Sequence, residues 1–302
     1  MKYVFIINPA AGNGEGENKI REAVRELPEK DQCTIYLTKG VNDATWYVRH
    51  WMKENPGEEV RFIACGGDGT LNEVFNGAAG AENASVTCYP CGSGNDFVKV
   101  YGGTEPFMDI AGLLRAEAKP IDLLKVGERY SNNVVNFGFD TTVAITINKE
   151  RERTGHGNKS AYTKGVVTAL LTSMNNKATV RADGELLNPG GRLLLCTVAN
   201  GQYVGGSFKC APKARIDDGW IEVCLIKPIS RLRFVKILKP YTAGKHLEDP
   251  AMKDIVTYRQ AKKVEVSAPE GFAYSLDGEI IYENNFTVEI VPGAVRFAVP
   301  QH

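Results

Sequence analysis

The first third of the chain alternates between short apolar runs and stretches with helical spacing of apolar positions. The apolar runs predict four strands, at Tyr3–Ile7, Thr34–Leu37, Arg61–Ala64 and Ser85–Tyr89. Apolar residues spaced three or four apart predict helices between them, at Lys19–Leu27, Asp43–Lys53 and Leu71–Ala79. Strands separated by helices form parallel βαβ units with helices on both faces of the sheet. This region is therefore predicted to be an α/β domain.

After Pro120 the pattern changes to short β-like runs separated by turn residues. Examples are the runs IDLLKV, NNVVNFGF, GRLLLCTVAN and GWIEVCLI. Only Lys164–Met174 and Arg231–Ala243 have the spacing of helices. The pattern predicts a mostly antiparallel β domain built as a sandwich.

Composition and charge narrow the class of protein. Lysine plus arginine and aspartate plus glutamate each number 36, so the formal net charge is zero, which argues against a nucleic-acid-binding protein. No run approaches the roughly 20 apolar residues of a membrane span, and the N-terminal apolar run is too short for a signal peptide. The seven cysteines lie mostly in strand-like runs, and Cys88 and Cys91 have no second pair to complete a zinc site. Buried thiols in a cytoplasmic protein are expected.

Three glycine-rich loops, Asn8–Gly14, Gly66–Thr70 and Gly92–Asp96, each follow a predicted strand, and a helix is expected after each. Glycines let the backbone approach a phosphate closely, and a helix N-terminus offers it N–H groups. Ligands of such sheets bind at the carboxyl ends of the strands. Asp68 and Asp96 add carboxylate oxygens of the kind that Mg²⁺ prefers. The loops therefore predict a phosphate and magnesium site.

Simpler interpretations of these motifs remain open. The first two loops could be ordinary tight turns. The run Thr70–Glu73 fits a capping box, in which Thr70 and Glu73 start a helix, although capping does not exclude contact with a nucleotide.

The triplet Asp277-Gly278-Glu279 lies between the strand-like runs FAYSL and EIIYE, where Asp-Gly is a typical two-residue hairpin turn. The same triplet occurs at Asp183-Gly184-Glu185, between TVRA and LL. The triplet alone therefore does not distinguish a catalytic aspartate from a turn residue.

Together, these motifs resemble the diacylglycerol kinase catalytic-domain family, especially its soluble bacterial lipid kinases. The resemblance covers essentially the whole chain, and its motifs occur in the family's order: NPAAGNG, CGGDGTLNEV, PCGSGNDF, Ile121-Asp122-Leu123, NFGFD, the run from Asn200 to Val223, and SLDGE. It implies an N-terminal Rossmann-like, NAD kinase-like α/β domain and a C-terminal antiparallel β-sandwich domain, with the active site in the cleft between them. The first domain would comprise residues 1–120 and a returning strand at 294–302, and the second residues 121–293.

The resemblance also implies roles for individual residues. Thr38, in a T-x-x-x-x-D-A pattern with Asp43 and Ala44, matches the loop that reaches the nucleotide base. Asp277 matches the general base towards the lipid hydroxyl, and Glu279 a member of the magnesium network. An aspartate–water–Mg²⁺ network would comprise Asp68, Asp96 and Asp122. The nucleotide-binding positions would be Asn8, Thr38, Gly66, Gly67, Gly69, Thr70, Gly92, Ser93, Gly94 and Asn95.

Some bacterial members of the family hold a structural Mg²⁺ at the loop that corresponds to Asp217-Asp218-Gly219, which makes Asp218 a candidate ligand. Arg215 stands where an acidic residue is expected just upstream. A plain acidic turn before the next strand is an equally good interpretation.

The implied activity is that of a lipid kinase, which transfers the γ-phosphoryl group of ATP to a lipid hydroxyl with Mg²⁺, first of all from diacylglycerol to phosphatidic acid. The alternatives are an NAD kinase-like small-molecule kinase and a non-catalytic nucleotide- or lipid-binding regulator on the same fold. Retention of Asp68, Asp96, Asp122, Asp277 and Glu279 argues against the regulator.

A lipid substrate requires contact with a bilayer, so we expect a peripheral protein at the inner face of an anionic membrane. Two basic clusters could attract anionic headgroups, or be no more than solvated faces: Arg151, Arg153, Lys159 and Lys164; and Arg231, Arg233, Lys236 and Lys239. The family resemblance also allows a homodimer through the β domain.

Overall fold

The computed structural model describes residues 1–12, 14, 16–154 and 159–300. The chain forms two compact units. The first unit comprises Met1–Leu123, Ile216–Asp218 and the residues from Val291 onwards, and the second comprises Leu124–Arg215 and Gly219–Ile290.

The first unit is built on parallel strands, as the alternating pattern predicts. Its strands are β1 (Lys2–Ile7), β2 (Cys33–Leu37), β3 (Val60–Gly66) and β4 (Ala84–Pro90). Its helices are α1 (Gly16–Glu26), α2 (Asp43–Glu54), α3 (Asp68–Ala78) and α4 (Ile110–Arg115). The strands lie in the order β4-β3-β1-β2, and all three pairings are parallel. Every residue of β3 is buried, as expected for a central strand covered on both faces.

The remaining strands belong to the second unit, apart from β5 and β18, which are divided between the two units. They are β5 (Ala118–Val126), β6 (Arg129–Ser131), β7 (Val134–Gly138), β8 (Asn176–Lys177), β9 (Thr179–Ala182), β10 (Glu185–Leu186), β11 (Arg192–Leu193), β12 (Leu195–Ala199), β13 (Ile221–Ile226), β14 (Val256–Ala261), β15 (Lys263–Ser267), β16 (Ala273–Leu276), β17 (Glu279–Tyr282) and β18 (Asn285–Ala298). The helices of the second unit are α5 (Phe139–Thr154), α6 (Lys159–Thr172) and α7 (Arg231–Thr242).

A six-stranded antiparallel sheet, in the order β14-β13-β12-β7-β16-β17, is the centre of the second unit. On one face, side chains such as Phe137 and Val198 share a core with Val266 and Phe286 of a second antiparallel group, β10-β9-β15-β18. This arrangement confirms the predicted β sandwich. The other face of the six-stranded sheet packs on α5, α6 and α7 in a separate core. The sheet is therefore buried on both faces.

The last strand, β18, takes part in both units. Its first residues pair antiparallel with β15, and Phe297 near its end pairs parallel with Val86 of β4. The Thr87 hydroxyl donates to the Ala298 carbonyl at 2.8 Å, which fixes the returning strand beside β4.

Two features of local structure differ from the sequence prediction. The strand predicted in the run NNVVNFGF is present as β7, but it ends at Gly138, whose φ is +96°, and helix α5, which was not predicted, begins at Phe139. Helix α5 contains β-branched residues, which favour strands. Packing stabilises the helix, since the ring centroids of Phe139 and Phe234 lie 4.6 Å apart in a buried core. After the third glycine-rich loop there is a short 3-10 helix, Phe97–Tyr101, in place of an α-helix.

Candidate active site

The three glycine-rich loops of the first unit come together at one edge of its sheet. They follow β1, β3 and β4, which are neighbours in the parallel sheet, so their carboxyl ends meet. The Asn8 N–H donates to the Cys65 carbonyl at 3.0 Å, and the Cys91 N–H donates to the Gly66 carbonyl at 2.9 Å. The structure thus brings together the residues that the sequence placed in three separate motifs.

Two of the loops touch through their glycines. A Cβ on Gly92 would come within 2.5 Å of the Gly67 Cα, so neither position has room for a side chain without moving the backbone. A Cβ on Gly94 would come within 2.8 Å of an Asp68 carboxylate oxygen. These glycines let the second and third loops pack against each other, in addition to any approach of a phosphate.

Asp68, the first residue of α3, connects these two loops. Its Oδ1 accepts from the Asp96 N–H at 2.6 Å and from the Phe97 N–H at 3.4 Å. Desolvation and, next, the neighbouring charge of Asp96 raise the pKa of Asp68. Asp96 is buried and forms an ion pair with Lys99. A bound cation would stabilise the charged form of Asp68 in this position.

The N-terminus of α3 faces the same loops. Gly67 is its N-cap, and no side chain among the described residues caps it. Its first N–H groups are therefore candidates for binding an anion. Gly69 lies in the exposed first turn, whereas Thr70 is buried and its hydroxyl accepts from Asn8 Nδ2 at 3.3 Å. Asn8 Oδ1 in turn accepts from the Ala10 N–H at 3.0 Å, which closes the first loop.

The capping-box interpretation of Thr70 and Glu73 was wrong, because α3 begins at Asp68, two residues earlier than a Thr70 N-cap requires. Glu73 instead serves the neighbouring helix α2. Its carboxylate accepts from the Asn42 N–H at 2.9 Å and the Ala44 N–H at 3.0 Å. Nothing in the local sequence of α3 indicates this contact, because its partner residues lie on another helix.

Thr38 follows β2, and its N–H donates to the Ile7 carbonyl at 2.9 Å. The loop after it is closed by Asp43, whose Oδ2 accepts from the Lys39 N–H at 2.8 Å and the Tyr36 hydroxyl at 2.9 Å. Glu73 binds the same loop from α3. The T-x-x-x-x-D-A segment is thereby fixed at the edge where the glycine-rich loops lie.

In the third loop, Asn95 has a left-handed backbone conformation, with a φ of +47°, and its Nδ2 donates to the Gly92 carbonyl at 2.8 Å. This bond makes the loop a closed turn. Ser93 at its tip is exposed.

Asp122 is buried on β5 and binds two segments that are distant in sequence. Its Oδ1 accepts from the Gly293 N–H at 2.8 Å, and its N–H donates to the Ile216 carbonyl at 2.7 Å. These contacts give Asp122 a structural role in the first unit. Its membership in a magnesium network stays a prediction.

Asp217 and Asp218 lie in the short segment Ile216–Asp218, which belongs to the first unit although the chain before and after it belongs to the second. Burial first, and then the negative charge of Asp217, raise the pKa of Tyr101. Among the residues that the structure describes, no group of three or more histidine, cysteine, aspartate or glutamate side chains is arranged to hold a metal. The role of Asp218 as a ligand of a structural metal stays a prediction.

Asp277 and Glu279 lie in the second unit, on the turn between β16 and β17. The Asp277 Oδ1 accepts from the Ser131 hydroxyl and the Val134 N–H, each at 2.8 Å, and its Oδ2 accepts from the Asn132 N–H at 2.8 Å. Glu279 forms an ion pair of 2.6 Å with Arg129. The local sequence does not indicate these partners, since Ser131 and Asp277 are 146 positions apart.

The Asp68 and Asp96 carboxylates supply oxygen donors of the kind that Mg²⁺ takes in phosphoryl transfer, and their role as its ligands stays a prediction. Such an ion takes one or two carboxylates and completes its shell with waters and substrate phosphates, so a cage of three or more protein ligands is not required.

Comparison with known proteins agrees with this arrangement. The family model for the diacylglycerol kinase catalytic domain matches residues 2–126, and that for the YegS C-terminal NAD kinase beta sandwich-like domain matches residues 133–299. A diacylglycerol kinase of Bacillus subtilis (strain 168) is 29% identical over 92% of this chain and 90% of its own length. A probable lipid kinase, YegS-like, of Chromohalobacter salexigens is 30% identical over 94% of this chain and 89% of its own length.

A crystal structure of a diacylglycerol kinase from Bacillus anthracis (strain Sterne) shares the fold, with a TM-score of 0.75 at 23% identity, over 99% of this chain and 96% of that one. The two family models together span the α/β unit with its three glycine-rich loops and the β sandwich, and with these relatives they place the chain among the lipid kinases. The chain belongs to the diacylglycerol kinase family, which includes the YegS-like lipid kinases. Within the described residues, no helix combines the length and the apolar character needed to cross a bilayer.

Proposed function

We propose that this lipid kinase transfers the γ-phosphoryl group of ATP to the hydroxyl of diacylglycerol and forms phosphatidic acid. The observation that carries the proposal is the meeting of three glycine-rich loops around Asp68 at the N-terminus of α3. The name of the Bacillus subtilis relative supports diacylglycerol as the acceptor. We further propose that the protein works at the inner face of an anionic membrane, where such a substrate lies.

The nucleotide phosphates would lie against the backbone of the three loops, with the N-terminal N–H groups of α3 directed at them. Thr38 and the loop closed by Asp43 would contact the base. Asp68 and Asp96 would hold Mg²⁺, which when bound neutralises charge on the transferring phosphoryl group. The transition state of phosphoryl transfer is loose, so the main work of these residues is to position the reactants.

Asp277 is assigned the role of general base. Three hydrogen bonds to the segment Ser131–Val134 orient its carboxylate. It would accept the proton of the lipid hydroxyl as that oxygen attacks the γ-phosphorus, and a base in this role typically contributes about 10²–10⁴-fold in rate.

The test is a phosphorylation assay with labelled ATP in anionic mixed micelles, with and without Mg²⁺. The acceptors are diacylglycerol, phosphatidylglycerol and a sphingoid base, and NAD⁺ serves as a control for NAD kinase activity. We expect Mg²⁺-dependent labelling of diacylglycerol. Labelling of NAD⁺ alone, or ATP binding without labelling of any acceptor, would refute the proposal.

A further inference from the structure

Exposed apolar side chains concentrate on two helices of the second unit. Of the twelve large hydrophobic side chains that are exposed in the described part of the chain, six lie on α6 and α7. They are Tyr162, Val167, Leu171, Leu232, Val235 and Leu238. Scattered exposed apolar residues need no explanation, but a concentration of this kind marks an interaction surface.

The two helices join end to end. The Arg231 guanidinium, at the start of α7, donates to the Leu170 carbonyl at 2.7 Å and to the Leu171 carbonyl at 3.3 Å, at the end of α6. Leu171, 67% exposed, and Leu232, 80% exposed, flank this contact. Val167 and Val235 lie one helical turn away on their respective helices. These four exposed side chains lie on either side of the contact between the two helices, and we refer to them as the apolar stripe.

The stripe lies opposite the buried faces of the same helices. Ala169 on α6, and Phe234 and Ile237 on α7, pack into the core on the six-stranded sheet. Since these residues already supply the packing that holds the helices, the stripe is not needed for folding.

The charge of the two helices favours an anionic partner for the stripe. Together they contain six basic residues, Lys159, Lys164, Arg231, Arg233, Lys236 and Lys239, and no acidic one, although the whole chain has a formal net charge of zero. Glu150 of α5 pairs with Lys164, and Asp254 pairs with Arg233. The side chains of Arg151 and Lys159 lie outside the described residues. Lys236 and Lys239 are exposed beside the stripe.

We propose that α6 and α7 form the membrane-docking surface of this protein, with Val167, Leu171, Leu232 and Val235 inserted at the boundary between headgroups and acyl chains of an anionic bilayer. On α7, the exposed Leu232 and Val235 lie beside the exposed Lys236 and Lys239, so apolar and basic side chains are offered together, as docking on an anionic bilayer requires. A second copy of the chain would bring the basic residues of both copies together. This proposal rests on the proposed function for the identity of the substrate, and it names the surface that meets the bilayer.

The test is flotation with vesicles of phosphatidylcholine and phosphatidylglycerol, at low and high salt. We expect the double variant Leu232→Ser, Val235→Ser to lower the partition coefficient by about tenfold at either salt concentration. The matched control is Met108→Ser, at an exposed apolar position of the first unit, which should bind as wild type. Lys236→Gln with Lys239→Gln should weaken binding by about fivefold per lysine at low salt only.

Wild-type binding of the apolar double variant at high salt would overturn the proposal, as would the absence of wild-type binding to anionic vesicles. Sedimentation would detect the alternative occupant: a dimer that the double variant dissociates, with vesicle binding unchanged, also overturns it.

Assays on a short-chain diacylglycerol dissolved in buffer separate this proposal from the proposed function. If both are correct, the double variant matches wild type on the dissolved substrate and loses activity on vesicles. If the variant also matches wild type on vesicles, the docking surface is wrong and the kinase assignment stands. If vesicle binding depends on the stripe and no lipid is phosphorylated, the surface stands and the proposed function falls.

Discussion

The second unit contains two hairpins with the same triplet, Asp183-Gly184-Glu185 and Asp277-Gly278-Glu279, and their backbones are nearly alike. Both aspartates have a left-handed conformation, with φ of +47° and +46°. In both, the aspartate N–H and carboxylate bind the backbone of a neighbouring connection. Both glutamates form ion pairs with an arginine. The left-handed backbone of the two aspartates is what the Asp-Gly turn requires, so it does not distinguish a catalytic residue from a turn residue.

What differs is the segment that each aspartate binds. Asp183 is exposed and binds the N–H groups of Lys262 and Lys263. Asp277 binds Ser131–Val134, of which Ser131, Asn132 and Asn133 are buried polar residues. That segment is hydrogen-bonded to the family motif that begins at Asn200. The N–H groups of Asn200 and Gly201 both donate to the Asn133 carbonyl at 2.9 Å. Only the second hairpin is thus part of a buried polar network.

The largest expected difference between the two hairpins is in activity. Asp277→Asn should lower the rate of lipid phosphorylation by about 10²–10⁴-fold, because an amide cannot accept the hydroxyl proton. The matched variant Asp183→Asn should remain close to wild type. Initial rates with saturating ATP and Mg²⁺ measure both. Equal losses in the two variants would mean that the effect comes from folding, and near wild-type turnover of Asp277→Asn would remove the base assignment.

A smaller difference is expected in stability. Asp277→Ala leaves the Ser131 hydroxyl and two N–H groups without their acceptor in a buried segment, so we expect a loss of about 3 kcal/mol in the free energy of unfolding. Asp183→Ala should cost about 1 kcal/mol, since water can reach the N–H groups of Lys262 and Lys263. Urea unfolding followed by circular dichroism measures both. Equal costs would show that the buried network adds nothing to the turn.

The sequence predicted the features of these hairpins that are local. An Asp-Gly pair between strand-like runs is enough to predict both turns, and three motifs after three strands are enough to predict the site edge. The network of Asp277 could not be predicted from residues, because Ser131 lies 146 positions away. The capping interpretation failed because α3 begins before Thr70, and the partner that Glu73 binds instead, Asn42, could not be predicted, since it lies 31 positions away on another element. Helix α5 was missed because packing on the sheet overrides its β-branched residues.

At the turn glycines the two hairpins should respond alike. Gly184 has a φ of +83° and Gly278 a φ of +97°, and no atom lies within 4 Å of a Cβ at either position. Alanine therefore meets backbone strain without a steric clash, and each variant should lose about 1–2 kcal/mol of unfolding free energy. A much larger cost for Gly278→Ala in urea unfolding would contradict the view that the two turns share one backbone design.

The smallest expected effect is at the ion pairs beside the two turns. The side chains of Arg129 and Glu279 are 50% and 43% exposed, and those of Arg259 and Glu185 are 46% and 62% exposed. Exposed pairs contribute about 0–1 kcal/mol, so Arg129→Gln and Arg259→Gln should each change the unfolding free energy by less than about 1 kcal/mol.

The Mg²⁺ dependence of the activity distinguishes the two ion pairs more sharply than stability does. If Glu279 belongs to the magnesium network, Arg129→Gln should shift the Mg²⁺ concentration that gives half-maximal rate, because it removes a competing cation from that carboxylate. Arg259→Gln should leave this concentration unchanged, since Glu185 is outside the proposed magnesium network. If both variants and wild type have the same Mg²⁺ dependence, Glu279 forms only an ion pair, as Glu185 does, and is not part of the magnesium network. Asp277 would then be the one catalytic difference between the hairpins.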